Sequence, residues 1–178
     1  AIPDLHLSDK NVSAQHANTT RGPGMQLPEP TLELFCNVIV ELGPIRELGE
    51  GRAGKRRIIP ILGGKVSGPY LSGKVVNVGA DWQTIFASGL AQLDARYPIE
   101  TDDGALIEVI NFGHRHGPED VIKRLAAGEP CAPEDYYMRS MARFETGDPR
   151  YAWMNNMIFL GTGAREKASV ILDFYLVR

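Results

Sequence analysis

The stretch from residue 144 to residue 163 reads FETGDPRYAWMNNMIFLGTG, and the rest of the chain is read outward from it. Thr146, Gly147, Asp148 and Pro149 are turn formers, each for its own steric reason. Beyond them the pattern predicts a strand. Tyr151, Trp153, Asn155, Met157 and Phe159 would share one face, and Ala152, Met154, Asn156, Ile158 and Leu160 the other. Both faces are largely apolar, so such a strand has no solvated side. One face also carries a phenol, an indole and an amide, groups that need hydrogen-bond partners when buried. That combination suits a pocket wall.

The neighbouring segments repeat the theme. Residues 31–42 (TLELFCNVIVEL) alternate with Leu32, Leu34, Cys36, Val38 and Val40 on one face. Residues 43–55 read as a glycine- and charge-rich loop, and residues 56–62 as a strand ended by Gly63-Gly64. Residues 66–78 are interrupted by Gly68-Pro69 and Gly73, which marks a bend or bulge. Residues 80–86 and 92–100 flank the turn Ala87-Ser88-Gly89, and Asp103-Gly104 announces a second hairpin leading into residues 105–112. Residues 118–127 are the one clear helix: Pro118 suits its first turn, and Glu119 and Asp120 favour its positive end. Val121, Ile122 and Leu125 form its apolar stripe, and Gly128 stops it. Residues 136–144 and 169–177 complete the set. Roughly eight or nine short strands, glycine-rich turns and one helix predict an antiparallel all-β domain, a closed barrel or a sandwich. Residues 169–177 again have two apolar faces. In a barrel the outer one needs a cover: the helix, the N-terminal arm or another subunit, hence an expected homo-oligomer.

Composition bounds the function. A chain of 178 residues with 43% apolar residues and a net charge of −3 is one globular domain. No basic run or RNA-type aromatic motif points to nucleic acid, and no apolar run reaches membrane-spanning length. Residues 1–30 are polar and aperiodic and read as an arm before a domain at 31–178. The start at Ala1 and the acceptor patterns at Asn11 and Asn18 fit a glycosylated, secretory-pathway chain whose signal peptide has been removed; otherwise the protein is cytoplasmic. Cys36 sits in an apolar pattern and reads as a buried hydrophobe, and neither it nor Cys131 has metal-ligand spacing.

Taken together, RRIIPILGGKVSGPYLSGKV, GADWQ, LDARYPIETDDGALIEV and RFETGDPRYAWMNN resemble the DUF3237 (UPF0311) family over roughly residues 32–177. The resemblance implies an antiparallel β-barrel of about eight to ten strands, lipocalin-like in architecture, with one short helix. Most members have no assigned function. Some fungal relatives are associated with dehydration to a quinone methide and its hetero-Diels–Alder capture by a terpene alkene, so the resemblance makes a cofactor-independent cyclisation enzyme the expected activity. The alternative is a barrel that only carries an apolar aromatic ligand. The arm departs from the family pattern, as does Glu108, where an aromatic is expected.

Several residues could carry that chemistry. Asp94 and Arg96 share a strand face, as a surface ion pair or as lumen groups in which Arg96 holds an enolate or tropolonate oxygen. Asp81 after Gly79 reads first as a turn cap and second as an acid–base group. Arg139 is a second oxygen binder, and Glu145 a carboxylate at a barrel mouth. His114 and His116 in GHRHG read as loop residues; an HxH pair needs a third ligand to hold a metal, so His114 is retained as an acid–base candidate and no metal is expected. Gly63-Gly64 and Gly161-Thr162-Gly163 read as turn glycines, and no motif calls for a cofactor. Tyr70, Trp82, Tyr97, Asn111, Tyr137, Tyr151, Trp153 and Asn155 would shape a cavity for an aromatic or terpenoid ligand.

Overall fold

The computed structural model describes residues 27–178. Ten strands follow one another as β1 (Leu32–Leu42), β2 (Arg46–Glu50), β3 (Lys55–Ser67), β4 (Gly73–Val75), β5 (Ala80–Ile85), β6 (Ala91–Thr101), β7 (Leu106–His116), β8 (Tyr137–Glu145), β9 (Phe159–Arg165) and β10 (Ser169–Val177). One helix, α1 (Glu119–Ala126), joins β7 to β8. Every pairing is antiparallel, in the order β1-β10-β9-β8-β7-β6. From β6 the sheet passes through β4 and β5 to β3, and β3 pairs back onto β1. The sheet therefore closes into a barrel, which leaves only short edges exposed. The two hairpin turns form where Gly89 and Gly104 allow φ of +84° and +88°. In α1 the acidic first turn and the buried Val121 and Leu125 match the sequence pattern.

Three local readings are corrected. Residues 43–55 contain the strand β2. Gly63 and Gly64 lie inside β3 and do not end it: φ of +147° and +143° lets the strand turn a corner, from β2 and β5 on its first half to β1 and β4 on its second. A Cβ on Gly64 would sit 1.9 Å from the Ile39 carbonyl oxygen. Gly161 and Gly163 likewise lie within β9; a Cβ on Gly161 would meet Ser140 Oγ at 2.3 Å and the Phe174 ring at 3.0 Å.

The opening stretch changes most. Residues 152–156 form a short 3-10 turn, and the strand begins only at Phe159. The Asn155 side chain accepts from the Thr146 N–H (3.0 Å) and donates to the Thr146 carbonyl (2.9 Å), so the segment is folded back on its own polar turn. Met154 is thereby driven into the barrel end. In β1 a bulge between Leu34 and Cys36 turns both Phe35 and Cys36 inward, and Leu32 and Leu34 outward.

The two ends of the barrel differ. At the 3-10 end, Phe35, Phe144, Phe159 and Phe174 pack ring to ring at 4.7–5.3 Å, with Ile99, Ile107 and Leu176 around them. This end is solid. At the other, α1 lays Val121 and Leu125 against Ala91, Leu93, Tyr136 and Met138. The helix thus plugs an end and does not cover the outer face.

Candidate functional site

Alternation fixes which side chains enter the lumen. On β6, Leu93, Ala95, Tyr97 and Ile99 point in; on β7, Ile107, Val109, Asn111 and Arg115 do. Asp81 pairs with Ala95, and Gln83 with Arg57, so all three polar residues share the inner face. Under α1 these residues bound a narrow chamber. Its apolar walls are Val40, Ile59, Ile61, Met138, Val170 and Leu172, and its polar lining is Asp81, Gln83, Tyr97, Asn111, Arg115 and Arg165. The free space open to the centre of a water-sized sphere is about 50 Å³. That holds a few waters or a compact organic ion.

The polar groups are arranged as a relay with loose ends. Arg57 Nε donates to Gln83 Oε1 (2.8 Å), Gln83 Nε2 donates to Asp81 Oδ2 (2.5 Å), and the Asp94 backbone N–H donates to Asp81 Oδ1 (2.9 Å). Burial pushes the Asp81 carboxyl above its usual range, against the opposing pull of those hydrogen bonds and of Arg115 and Arg57. Burial also pushes the Arg115 guanidinium down, to about 10, and the positive charges of Arg57 and Arg165 add to the effect. The Tyr97 phenol is raised by burial. Among the described residues, four buried side-chain polar atoms have no partner: Tyr97 Oη, Asn111 Oδ1, Arg115 Nε and Ser140 Oγ. The first three belong to the chamber lining. A carboxyl that can exchange a proton, guanidinium groups and orphaned amide and phenol groups face one small apolar-walled space, the make-up of a small-molecule site.

Of the residues singled out from sequence, the structure brings Tyr97, Asn111 and Asp81 to this chamber. Tyr70, Tyr151, Trp153 and Asn155 gather at the solid end. Trp153 meets Phe35 and Tyr70 edge-on at 6.0 Å, and Tyr151 Oη donates to Asp103 at 3.0 Å. The others lie on the outer face. Arg96 is 3.9 Å from Glu108, its diagonal neighbour on β7, and Asp94 points the same way. Glu145 pairs with Arg143 at 3.1 Å, and Arg139 lies over the Tyr137 ring at 5.4 Å. Trp82 points outward between Asp81 and Gln83. His114 and His116 stand on the outer side of β7, which continues through GHRH where a loop was expected; His114 packs on Phe112 and His116 on Tyr137. Among the described residues no three His, Cys, Asp or Glu side chains cluster around them. Cys36 and Cys131 are free thiols, and Asn11 and Asn18 lie outside the described residues. Sequence reasoning passed over Arg57, Gln83, Arg115 and Arg165, and ranked Asp81 as a turn cap. The available signal was phase: Arg115 falls in step with Ile107 and Val109, whereas Arg96 falls out of step with Leu93 and Tyr97.

A family model described as a protein of unknown function (DUF3237) matches residues 30–177. The chain belongs to the DUF3237 family. A UPF0311 protein of Rhodopseudomonas palustris is 44% identical over 150 residues, which is 83% of this chain and 98% of that one. The crystal structure of a conserved protein of unknown function from the same species covers 86% of this chain and 100% of its own, with a TM-score of 0.81 and 40% identity. More distant is the hydroalkoxylation enzyme phnH of Penicillium herquei, 27% identical over 154 residues, 86% of this chain and 88% of that one. An enzyme from P. herquei of known structure, 23% identical with a TM-score of 0.66, covers 88% of this chain and all of its own, and shares the barrel. The chain is thus similar to bacterial proteins of unknown function and, at a distance, to a named enzyme.

Proposed function

We propose that this DUF3237 protein is an enzyme of secondary metabolism that closes a C–O bond onto an alkene carbon inside the barrel lumen, with Asp81 as the proton-exchanging group. The observation that carries the reading is the Asp81 carboxyl, oriented by Gln83 and the Asp94 N–H and set in an apolar-walled chamber beside Arg115. A carboxyl raised by burial is suited to take a hydroxyl proton and return it. In hydroalkoxylation, the activity named for the P. herquei relative, an O–H adds across a C=C bond: the oxygen bonds to one carbon and the proton ends on the other. Loss of water from a hydroxymethyl tropolone or phenol, followed by hetero-Diels–Alder addition of the quinone methide to a terpene alkene, forms such a C–O bond to one alkene carbon together with a C–C bond to the other, and the same groups would serve it. The 50 Å³ chamber favours a compact substrate reacting within itself over two separate partners. An aromatic substrate enters only if α1, held by Val121 and Leu125, lifts from the barrel end.

The test is incubation of purified protein with 2-allylphenol, whose ether 2-methyl-2,3-dihydrobenzofuran is read by chiral chromatography, and with 2-prenylphenol, whose ether 2,2-dimethylchroman is achiral and is read by rate. One enantiomer in excess is expected, and Asp81→Asn should slow its formation about 10²–10⁴-fold. Racemic product at the uncatalysed rate would sink the proposal and leave a barrel that binds without turnover.

A further inference from the structure

We infer that the chamber selects an organic oxyanion, whose charged oxygen sits between Arg115 and Arg165 and whose apolar end lies against Leu93, Val170 and Leu172; this rests on the reading of the chamber as the substrate site. Arg115 is only 8% exposed, its Nε has no hydrogen-bond partner, and it forms no ion pair among the described residues. At neutral pH a guanidinium keeps its proton, so there it does not escape burial by neutralising itself. Arg165 is also half-buried on the inner face; one of its terminal nitrogens donates to the Ser169 carbonyl at 3.1 Å, a neutral acceptor. Asp81 is the one carboxylate among the lining residues, and its two oxygens already accept from Gln83 and Asp94. Arg57 stands behind Gln83 and is paired across the sheet with Glu47 of β2, whose charge lies outside the chamber lining.

The chamber lining therefore carries two guanidinium groups against one carboxylate. Water can satisfy hydrogen bonds, but it cannot supply the missing negative charge. A buried ion without a counter-ion is strongly unfavourable, and a bound anion removes that penalty. The remaining loose groups fit the same ligand. The Tyr97 hydroxyl can donate, and the Asn111 amide offers a donor once its oxygen and nitrogen are exchanged, an assignment set by the bonding partner. The lining beside them is aliphatic, with Val170 paired across the sheet with Arg165 and Leu93 on the strand next to Arg115, so a carboxylate, enolate or phenolate with a hydrocarbon body matches it and a bare inorganic ion does not.

The experiment measures thermal unfolding and titration calorimetry of the full chain with acetate and benzoate, with the neutral isosteres acetamide and benzamide, and with chloride. Acetate should raise the melting temperature saturably by several degrees at concentrations well above its Kd, and benzoate should follow if α1 admits it. The amides should do nothing. Arg115→Met should abolish the response, and Arg165→Gln, at a less buried position, should weaken acetate binding at least about tenfold. The inference is overturned by equal shifts from the amides, by no shift from either carboxylate, by chloride matching acetate, or by an undiminished response in both variants. Turnover of the alkenyl phenols is read separately. Turnover without any carboxylate response overturns the oxyanion site and leaves the enzyme standing; a carboxylate response without turnover supports the site and removes the catalytic reading.

Discussion

Trp153 and Arg115 have opposite relations to their surroundings, and the difference is measurable. Trp153 is 39% exposed and rests its edge on Phe35 and Tyr70, so it contributes aromatic packing without belonging to the chamber. Its replacement by alanine should cost about 2 kcal/mol, less than the ~3–5 kcal/mol of a fully buried aromatic, and leave acetate binding unchanged. Arg115 instead holds an uncompensated charge in the lumen. Methionine has a similar reach and no charge, so Arg115→Met should make the ligand-free protein more stable, by about 1 kcal/mol or more, while it loses the anion. Urea denaturation of both variants in an anion-poor buffer checks the pair of signs. A less stable Arg115→Met protein would mean that the guanidinium is already compensated.

Among the elements, those legible in the sequence are the ones decided locally. The Asp103-Gly104 turn and α1 needed only the φ preference of glycine, two acidic residues and an apolar stripe. What misled were segments decided by a distant neighbour. Residues 151–156 alternate well enough for a strand, and only the Asn155–Thr146 hydrogen bonds show them folded into a turn. The site was half legible for the same reason. Tyr97 and Asn111 reach it, and the phase of β7 marks Arg115, but the approach of Asp81, Arg57 and Arg165 depends on barrel closure. Closure itself turns on β3, where Gly64 passes Ile39. A Gly64→Ala change would place its Cβ 1.9 Å from the Ile39 oxygen at φ of +143°, and it should destabilise by more than about 3 kcal/mol. Gly89→Ala is the control. It has φ of +84° but nothing within 4 Å of its Cβ, so only the backbone strain of about 1–2 kcal/mol applies. Equal urea midpoints for the two variants would show that the seam between β1 and β3 tolerates the methyl group.

For the whole molecule, the contrast between a solid end and a hollow end appears in its response to alkali. Cys36, fully buried, has its thiol pushed up from an ordinary 9.0 to about 12, first by burial and second by the charge of Asp173. Burial also raises the Tyr97 phenol from an ordinary 10.0. Both are acids raised in the folded state, so their contribution is complete below the unfolded values and is lost as pH rises toward the folded ones. Arg115 is a base lowered from 12.5 to about 10, so its penalty is fully present below about 10 and is relieved above that, with the opposite sign. Between pH 8 and 10 the thiol therefore acts nearly alone. Folding free energy should fall there by about 1.4 kcal/mol, as the unfolded chain releases a proton that the folded one retains. Cys36→Ala should flatten that slope while lowering stability at every pH through the small cavity it leaves. Urea denaturation at pH 8, 9 and 10 measures both. An unchanged slope in the alanine variant would mean that another group, and not the buried thiol, limits the barrel in alkali.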